Sequence, residues 1–215
     1  MSTEKQATDI ASRLTKRIRT KTAAVAVIGL GYVGLPLAVE KAKVGFRVLG
    51  VDQNPERAAM ANRGENYIGD VKDDELKDIV DKGLLTASTS FDCLKEADVI
   101  VICVPTPLTA NMDPDISYIE NVCGEIVPRL RQGHLVTLES TTYPGTTEEV
   151  ILPLLEESGL KVGEDFFLSF SPERVDPGNK RYTTKNTSKV VGGVTPACLD
   201  VAKTFYEQTI LNVVP

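Results

Sequence analysis

Three glycines with the spacing GxGxxG occur early in the chain, at Gly29, Gly31 and Gly34. They follow the apolar run 24–28 and open a helical pattern over residues 32–44. In that setting, Gly29 permits a tight turn, Gly31 lets backbone N–H groups approach a pyrophosphate, and Gly34 lets helix and strand pack closely. The residues of this turn that we predict to bind a dinucleotide are Gly29, Gly31, Tyr32, Val33 and Gly34.

An acidic residue, Asp52, ends the second apolar run, eighteen residues beyond Gly34. In a dinucleotide-binding fold an acid at this place faces the ribose hydroxyls and would repel a 2'-phosphate. We therefore predict that Asp52 binds the ribose and that the cofactor is NAD. Arg57, which we also place at the cofactor, is the one nearby cation that would favour NADP. The alternative is that Asp52 merely caps a helix starting near Pro55, although Asn54 is also a good cap.

Short apolar runs alternate with helical stretches from Ala23 onward, which is typical of a parallel sheet covered by helices on both faces. The predicted strands are residues 24–28, 46–51, 84–87, 98–104, 135–139, 167–171 and 189–191. The predicted helices are residues 32–44, 55–63, 73–82, 115–130, 146–158 and 195–208. We expect an α/β fold with a doubly wound, mostly parallel sheet of the Rossmann type.

Apolar residues recur every four positions near the N-terminus, at Ile10, Leu14 and Ile18. This spacing predicts a short amphipathic helix, and we expect residues 1–22 to form a helical arm packed on a domain of residues 23–215. A frayed tail or a partner-binding helix is the alternative, because one thin apolar stripe buries little surface. The chain stops after the apolar, strand-like run 210–215, so we expect it to be part of a longer protein.

The composition argues against several kinds of binding partner and site. The net charge of −6 is spread along the chain without a basic block, which argues against nucleic acid. The polar N-terminus and the lack of a long apolar run argue against a signal peptide and a membrane span, so we expect a cytoplasmic protein. The cysteines lack a CxxC pair, which argues against a metal site and a disulfide scaffold, and we expect reduced thiols at Cys93, Cys103, Cys123 and Cys198.

Three further motifs complete an ordered set with the glycine turn and Asp52: VPTP at 104–107, ESTTYPGT at 139–146 and SPERVDPGN at 171–179. From about Ala23 to its end, the chain resembles the UDP-glucose/GDP-mannose 6-dehydrogenase family. The last three motifs are most similar to those of UDP-N-acetylglucosamine and UDP-N-acetylmannosamine dehydrogenases.

The resemblance implies a four-electron oxidation of a sugar C6 alcohol to a carboxylate with two NAD, through a cysteine thioester. It also implies a UDP-sugar substrate and a homodimer for the full-length enzyme. The chain would be the NAD-binding part of that enzyme and inactive alone. UDP-glucose as substrate is one alternative. A non-catalytic nucleotide-binding module is another, because a fold does not by itself set a function.

Carried over by the resemblance, Thr141 helps to hold the catalytic water and Glu173 acts on it. The same resemblance places the loop after the fourth strand and a neighbouring serine along the cofactor, as Val104, Pro105, Thr106 and Ser140, with Thr141 beside them. Both catalytic residues follow predicted strands, at the carboxyl edge where open α/β sheets bind ligands.

The departures from the family pattern are equally specific. Many members have a second glutamate four residues after the one matched by Glu173, where this chain has Pro177, and the adjacent Asp176 is not a substitute. The family's nucleophile follows a glycine pair that none of the four cysteines here has. Its catalytic lysine and asparagine come from a central helix that would begin after Pro215, before a C-terminal sugar-nucleotide domain. We expect the cysteines and His134, the only histidine, to be structural.

Overall fold

The structure is a computed structural model that describes residues 3–109, 114–173 and 187–215. Most of the motif 171–179, including Asp176 and Pro177, lies outside the described residues. The helices are α1 (Thr3–Arg19), α2 (Gly34–Lys43), α3 (Pro55–Arg63), α4 (Asp73–Asp81), α5 (Ser117–Ile126), α6 (Leu152–Glu156) and α7 (Pro196–Tyr206). The strands are β1 (Ala24–Ile28), β2 (Arg47–Val51), β3 (Leu85–Ser88), β4 (Val99–Ile102), β5 (Leu135–Leu138), β6 (Phe167–Phe170), β7 (Lys189–Val190), β8 (Gly192–Gly193) and β9 (Val213–Val214).

Seven strands form the main sheet in the order β3-β2-β1-β4-β5-β6-β8. The first six are parallel, and β8 pairs antiparallel with β6. The chain runs outward from β1 to β3 and then returns to place β4 on the other side of β1, so the order reverses between β1 and β4. The prediction of a doubly wound, mostly parallel sheet is confirmed, and such a reversal opens a crevice at the carboxyl ends of these two strands.

Both faces of the sheet are buried, which explains why its central strands are almost wholly apolar. Every residue of β1, β4 and β5 is buried. One core lies between the sheet and α1, α2, α4 and α7, and the other lies against α5 and α6. Strands covered on both faces have no solvent side and read as continuous β-branched or aliphatic runs.

The predicted strand 189–191 is wrong as a single element. β7 pairs with β9 in a separate two-stranded sheet, and only the next two residues, β8, join the main sheet. Close packing explains the glycine in β8, because a Cβ on Gly193 would lie 2.2 Å from the backbone nitrogen of Leu199 in α7. The run 210–215 likewise forms only the two-residue strand β9.

Prolines explain two further differences between the predicted and the observed helices. The predicted helix 115–130 ends as α5 and continues as a 3-10 turn over Val127–Arg129, where Pro128 has no N–H to donate. The predicted helix 146–158 starts with a π-helical turn, Thr146–Ile151, before α6. Pro153 in α6 cannot bond to the carbonyl four residues earlier, which favours the wider turn. A 3-10 turn at Phe91–Lys95 was not predicted.

The N-terminal helix is packed on the sheet domain. The predicted stripe residues Ile10, Leu14 and Ile18 are all buried, and α1 lies against α7. Arg17 of this helix also forms an ion pair of 2.6 Å with Asp98, a buried residue that precedes β4. The stripe therefore joins the main core, which excludes a frayed tail. None of the helices in the described part of the chain is both long enough and apolar enough to cross a membrane.

His134 lies at the amino end of β5, on the edge opposite the crevice. Its Nδ1 accepts a hydrogen bond of 3.2 Å from the backbone N–H of Arg131, so Nε2 carries the proton and donates to the carbonyl of Ala97 at 3.0 Å. Burial, and then the nearby Arg131 guanidinium, lower the pKa of His134 to about 4. The imidazole is therefore neutral and structural, as predicted.

This histidine makes stability depend on pH. The folded pKa of about 4 lies below the ordinary value of 6.5, so its contribution is full above pH 6.5 and is lost as the pH falls towards 4. Between pH 7.5 and pH 5, we expect the unfolding free energy of the parent to fall by about 2 kcal/mol more than that of His134→Gln. The glutamine keeps a donor for the carbonyl of Ala97. Urea unfolding at both pH values tests this. An equal loss in the two proteins would contradict it.

Candidate functional site

The three glycines of the turn differ in what an added side chain would contact. Gly29 has a φ of +91°, and a Cβ there would lie 2.4 Å from the carbonyl oxygen of Cys103. A Cβ on Gly34 would lie 1.8 Å from the carbonyl oxygen of Gly29. A Cβ on Gly31 would meet nothing within 4 Å. The fold itself therefore requires the first and third glycines, whereas the second borders open space.

That open space faces the N-terminal end of α2. Helix α2 begins at Gly34, and Pro36 is its third residue, where the missing N–H costs no intrahelical bond. Because first-turn N–H groups lack helical partners and carry the positive end of the helix dipole, such an end favours an anion. With Gly31 leaving the approach clear, a phosphate can come close to backbone N–H groups here.

Asp52 connects the end of β2 to the glycine turn. Its carboxylate is nearly buried and accepts 2.8 and 2.9 Å hydrogen bonds from the backbone N–H groups of Leu30 and Asn54. The helix α3 is capped by Asn54, which accepts from the N–H of Glu56, so the reading of Asp52 as the helix cap is wrong. Each carboxylate oxygen keeps a second acceptor position for a hydroxyl. The Arg57 guanidinium lies 3.9 Å from this carboxylate.

A cavity of about 490 Å³ occupies the crevice between the ends of β1, β2 and β4. The predicted residues that line it are Gly29, Gly31, Tyr32, Val33, Asp52, Arg57, Val104 and Pro105. The sequence did not point to the other lining residues, which are Ile28, Val51, Gln53, Asn54, Phe91, Cys103, Tyr118 and Val122. The predicted residues that do not line it are Gly34, Thr106, Ser140, Thr141 and Glu173.

The overlooked lining residues include an apolar wall. Phe91 comes from the 3-10 turn, and Tyr118 and Val122 lie one turn apart on α5. The four-residue spacing of the last two is the only signal in the sequence that they share a helix face. A second overlooked residue, Tyr67, donates a 3.0 Å hydrogen bond to the carbonyl of Leu30. Burial, and then Asp52, raise the pKa of Tyr67 to about 12, so it remains a donor.

Two hydroxyl groups join the loops that follow β4 and β5. Ser140 is buried and donates a 2.7 Å hydrogen bond to the carbonyl of Val104. Thr106 donates to the carbonyl of Thr141, whose own side chain is exposed. The structure therefore brings the predicted residues of these two loops together at the carboxyl edge, beside the cavity.

Charged residues are buried directly beneath this edge. Glu139 is 2% exposed, accepts a 2.6 Å hydrogen bond from the hydroxyl of Tyr206, and forms a 2.8 Å ion pair with Lys189. Burial acts to lower the pKa of Lys189, but Glu139 and then Glu173 and Cys103 outweigh it, so the pKa is raised. Glu173, which follows β6, is thus within electrostatic reach of the pair. Neither Glu139 nor Lys189 was predicted as a site residue.

The cysteines are not placed as nucleophiles. Burial, and then Glu139 and Glu173, raise the pKa of Cys103 well above its ordinary value. Burial raises the pKa of Cys123 to about 12 and also raises that of Cys93. Cys198 is fully buried, and its sulfur accepts from the backbone N–H of Leu168 at 3.3 Å. These contacts are those of buried structural thiols, as predicted.

Comparisons with known proteins identify relatives in one enzyme family. Residues 23–210 match the UDP-glucose/GDP-mannose dehydrogenase family, NAD binding domain. A UDP-N-acetyl-D-glucosamine 6-dehydrogenase of Pseudomonas aeruginosa is 39% identical over 86% of this chain and 43% of its own length. The UDP-N-acetyl-mannosamine dehydrogenase Cap5O of Staphylococcus aureus superposes with a TM-score of 0.83 at 32% identity, over 89% of this chain and 47% of that chain.

A ternary complex of GDP-mannose dehydrogenase from Pseudomonas aeruginosa has a TM-score of 0.81 at 32% identity, over 88% of this chain and 45% of that chain. The chain thus spans less than half the length of the relatives it matches. Their similarity covers the sheet, the glycine turn and the carboxyl-edge loops together.

The glycine geometry predicts separable effects of substitution. Gly31→Val should fold normally, because its side chain enters open space, yet lose at least about 100-fold in NAD affinity, because it blocks backbone approach to the pyrophosphate. Calorimetric titration with NAD and a thermal melt measure the two effects. Gly69→Val is the matched control, because its added Cβ also meets nothing within 4 Å but lies outside the cavity. Normal NAD binding by a folded Gly31→Val variant would contradict the assignment.

Proposed function

Because the chain belongs to the UDP-glucose/GDP-mannose dehydrogenase family, we propose that it is the NAD-binding part of an NAD-dependent nucleotide-sugar 6-dehydrogenase. The observation that supports this proposal is the combination at one sheet edge of an open glycine turn, the nearly buried Asp52, and the strand-end residues Thr141 and Glu173. The proposed cofactor site and the proposed site of water chemistry would then be adjacent.

The residues of the cavity fit NAD. The open space at Gly31 lies at the N-terminal end of α2 and suits a pyrophosphate, and Asp52 has free acceptor positions for ribose hydroxyls. The wall formed by Phe91, Tyr118 and Val122 suits an adenine ring, because ligand pockets bind flat heterocycles against aromatic and aliphatic side chains. The other end of the cofactor then lies along the loops after β4 and β5.

We propose a UDP-N-acetylhexosamine as the substrate. Relatives that are 35–39% identical include proteins named for UDP-N-acetyl-D-glucosamine and UDP-N-acetyl-D-mannosamine. A UDP-glucose dehydrogenase of Pyrobaculum islandicum matches at 26% identity, with a TM-score of 0.78. In the structural comparisons, the UDP-N-acetyl-mannosamine dehydrogenase Cap5O is 32% identical against 26% for the UDP-glucose dehydrogenase, which supports an N-acetylated sugar over UDP-glucose. A panel of UDP-sugars offered to the complete enzyme tests the choice.

The proposed reaction converts the C6 alcohol into a carboxylate. When bound, NAD supplies the hydride acceptor, and two NAD take up the four electrons. A cysteine from another part of the enzyme captures the aldehyde, so that the second oxidation leaves a thioester. Thr141 holds a water molecule at the edge of the site, and Glu173 takes its proton as it attacks the thioester carbonyl. The cysteine leaves as the carboxylate forms. In the full-length enzyme we expect a homodimer.

The 215-residue chain should bind NAD and reduce none of it with any UDP-sugar. The cavity and its polar groups are formed by these residues, whereas Cys103, Cys123 and Cys198 are buried, and burial raises the pKa of Cys103 and of the half-buried Cys93. Calorimetry measures binding, and absorbance at 340 nm, the NADH band, measures reduction. Turnover by the purified chain would show that one of its own cysteines reacts.

In the complete enzyme, Glu173→Gln should separate oxidation from hydrolysis. The amide keeps the size of the side chain but cannot take the proton from water, and general-base assistance is typically worth about 100- to 10,000-fold. Rapid mixing should show a burst of about two NADH per active site followed by slow turnover, and intact mass spectrometry should show the sugar attached to the protein.

Glu157→Gln is the matched control, because Glu157 is an exposed carboxylate just after α6. It should turn over like the parent. If Glu173→Gln also turns over like the parent, or loses the burst together with steady-state turnover while still folded and binding NAD, Glu173 is not the base for thioester hydrolysis.

A further inference from the structure

The positions that follow β4, β5 and β6 form a row across the sheet. Ile102, Leu138 and Phe170 are register partners, so the next residues along these strands lie side by side. Those next residues are Cys103, Glu139 and Ser171. All three are buried, and they lie one step below the loops that carry Thr141 and Glu173. The row is therefore the floor of the proposed catalytic edge.

Lys189 enters this floor from β7. Ser171 donates a 2.7 Å hydrogen bond to the carbonyl of Val190, the second residue of β7, which fixes β7 next to the end of β6. The Lys189 ammonium reaches Glu139 at 2.8 Å, and the two side chains are only 8% and 2% exposed. A buried pair of this kind gives little net stability, because desolvation offsets the attraction between the charges. Stability therefore does not explain why this charged pair is buried beneath the proposed catalytic edge.

The groups that face Lys189 can be assigned charges. Cys103, just after β4, and Tyr206 on α7 both have a pKa raised well above the ordinary value, chiefly by burial, so both are neutral. Lys41 on α2 is fully buried, and burial lowers its pKa well below the ordinary value. Lys189 is thus a cation paired directly with Glu139 and within electrostatic reach of Glu173.

We propose that Lys189 is a positioning residue for Glu173: anchored by Glu139, it holds a fixed positive charge in the floor near Glu173 and keeps that carboxylate in place to accept a proton. The inference rests on the role proposed above for Glu173. It assigns Glu139 a task as well, which is to hold the ammonium at its place in the floor rather than to react.

The coupling between the two residues can be measured on the 215-residue chain without any activity. Removal of the Glu173 charge should lower the pKa of Lys189, because Glu173 is one of the groups that raise it. NMR titration of the chain with isotope-labelled lysine side chains, as parent and as Glu173→Gln, measures this. Glu157→Gln is the control and should leave Lys189 unchanged. An unchanged Lys189 titration in Glu173→Gln would overturn the proposal.

The complete enzyme then tests the consequence. Lys189→Met should reduce kcat roughly tenfold with the KM for NAD unchanged, because a misplaced general base loses part of an assistance that is typically worth about 100- to 10,000-fold. Lys189→Arg should restore most of the loss. Since Lys189→Met leaves Glu139 buried without a partner, the double variant Glu139→Gln/Lys189→Met removes both charges and is the decisive comparison.

If the double variant keeps the loss of kcat, Lys189 acts on Glu173. If its kcat equals that of the parent, Lys189 only neutralises Glu139, and the proposal is overturned. A Glu173→Gln enzyme with parental turnover would instead refute the proposed role of Glu173, whereas the NMR titration separately decides whether the two charges are coupled.

Discussion

The close approach of α2 to the ends of β1 and β4 is the constraint on which the rest of the site depends. Any side chain at Gly34 would overlap the carbonyl of Gly29, and any side chain at Gly29 would overlap the carbonyl of Cys103. Backbone therefore packs on backbone, and the start of the helix comes to the mouth of the crevice. Asp52 and Tyr67 then hold the turn from either side, because they bond to the N–H and the carbonyl of the same residue, Leu30.

Both edges of the sheet bury charge, with different surroundings. At the amino edge, Asp98 accepts from the backbone of Ala24 and pairs with Arg17 and Arg131, which together fasten the N-terminal helix and the loop before β5. The cavity lined by the glycine turn and Asp52 lies at the opposite edge. At the carboxyl edge, the buried pair of Glu139 and Lys189 lies beneath the loops that carry Thr141 and Glu173, which we propose to be catalytic.

Local signals predicted the helix α3 to the residue. Asn54 caps it through its side chain, Pro55 suits its first turn, and Gly64 ends it in the left-handed conformation, so every boundary residue acts on its immediate neighbours in the chain. The prediction that 189–191 belongs to the main sheet failed because strand pairing is not a local property. These residues pair with β9, more than twenty residues further along the chain.

The sequence by itself determined the doubly wound fold, the glycine turn, Asp52 and the family, because each depends on residue type at short spacing or on an ordered set of motifs. Only the tertiary structure decided which distant residues meet: the wall of Phe91 and Tyr118, and the pair of Glu139 and Lys189. Members of that pair are fifty residues apart, and either alone looks like an ordinary surface charge. Burial and pairing arise only when β5 and β7 are brought together, since a charge enters a core only with its partner.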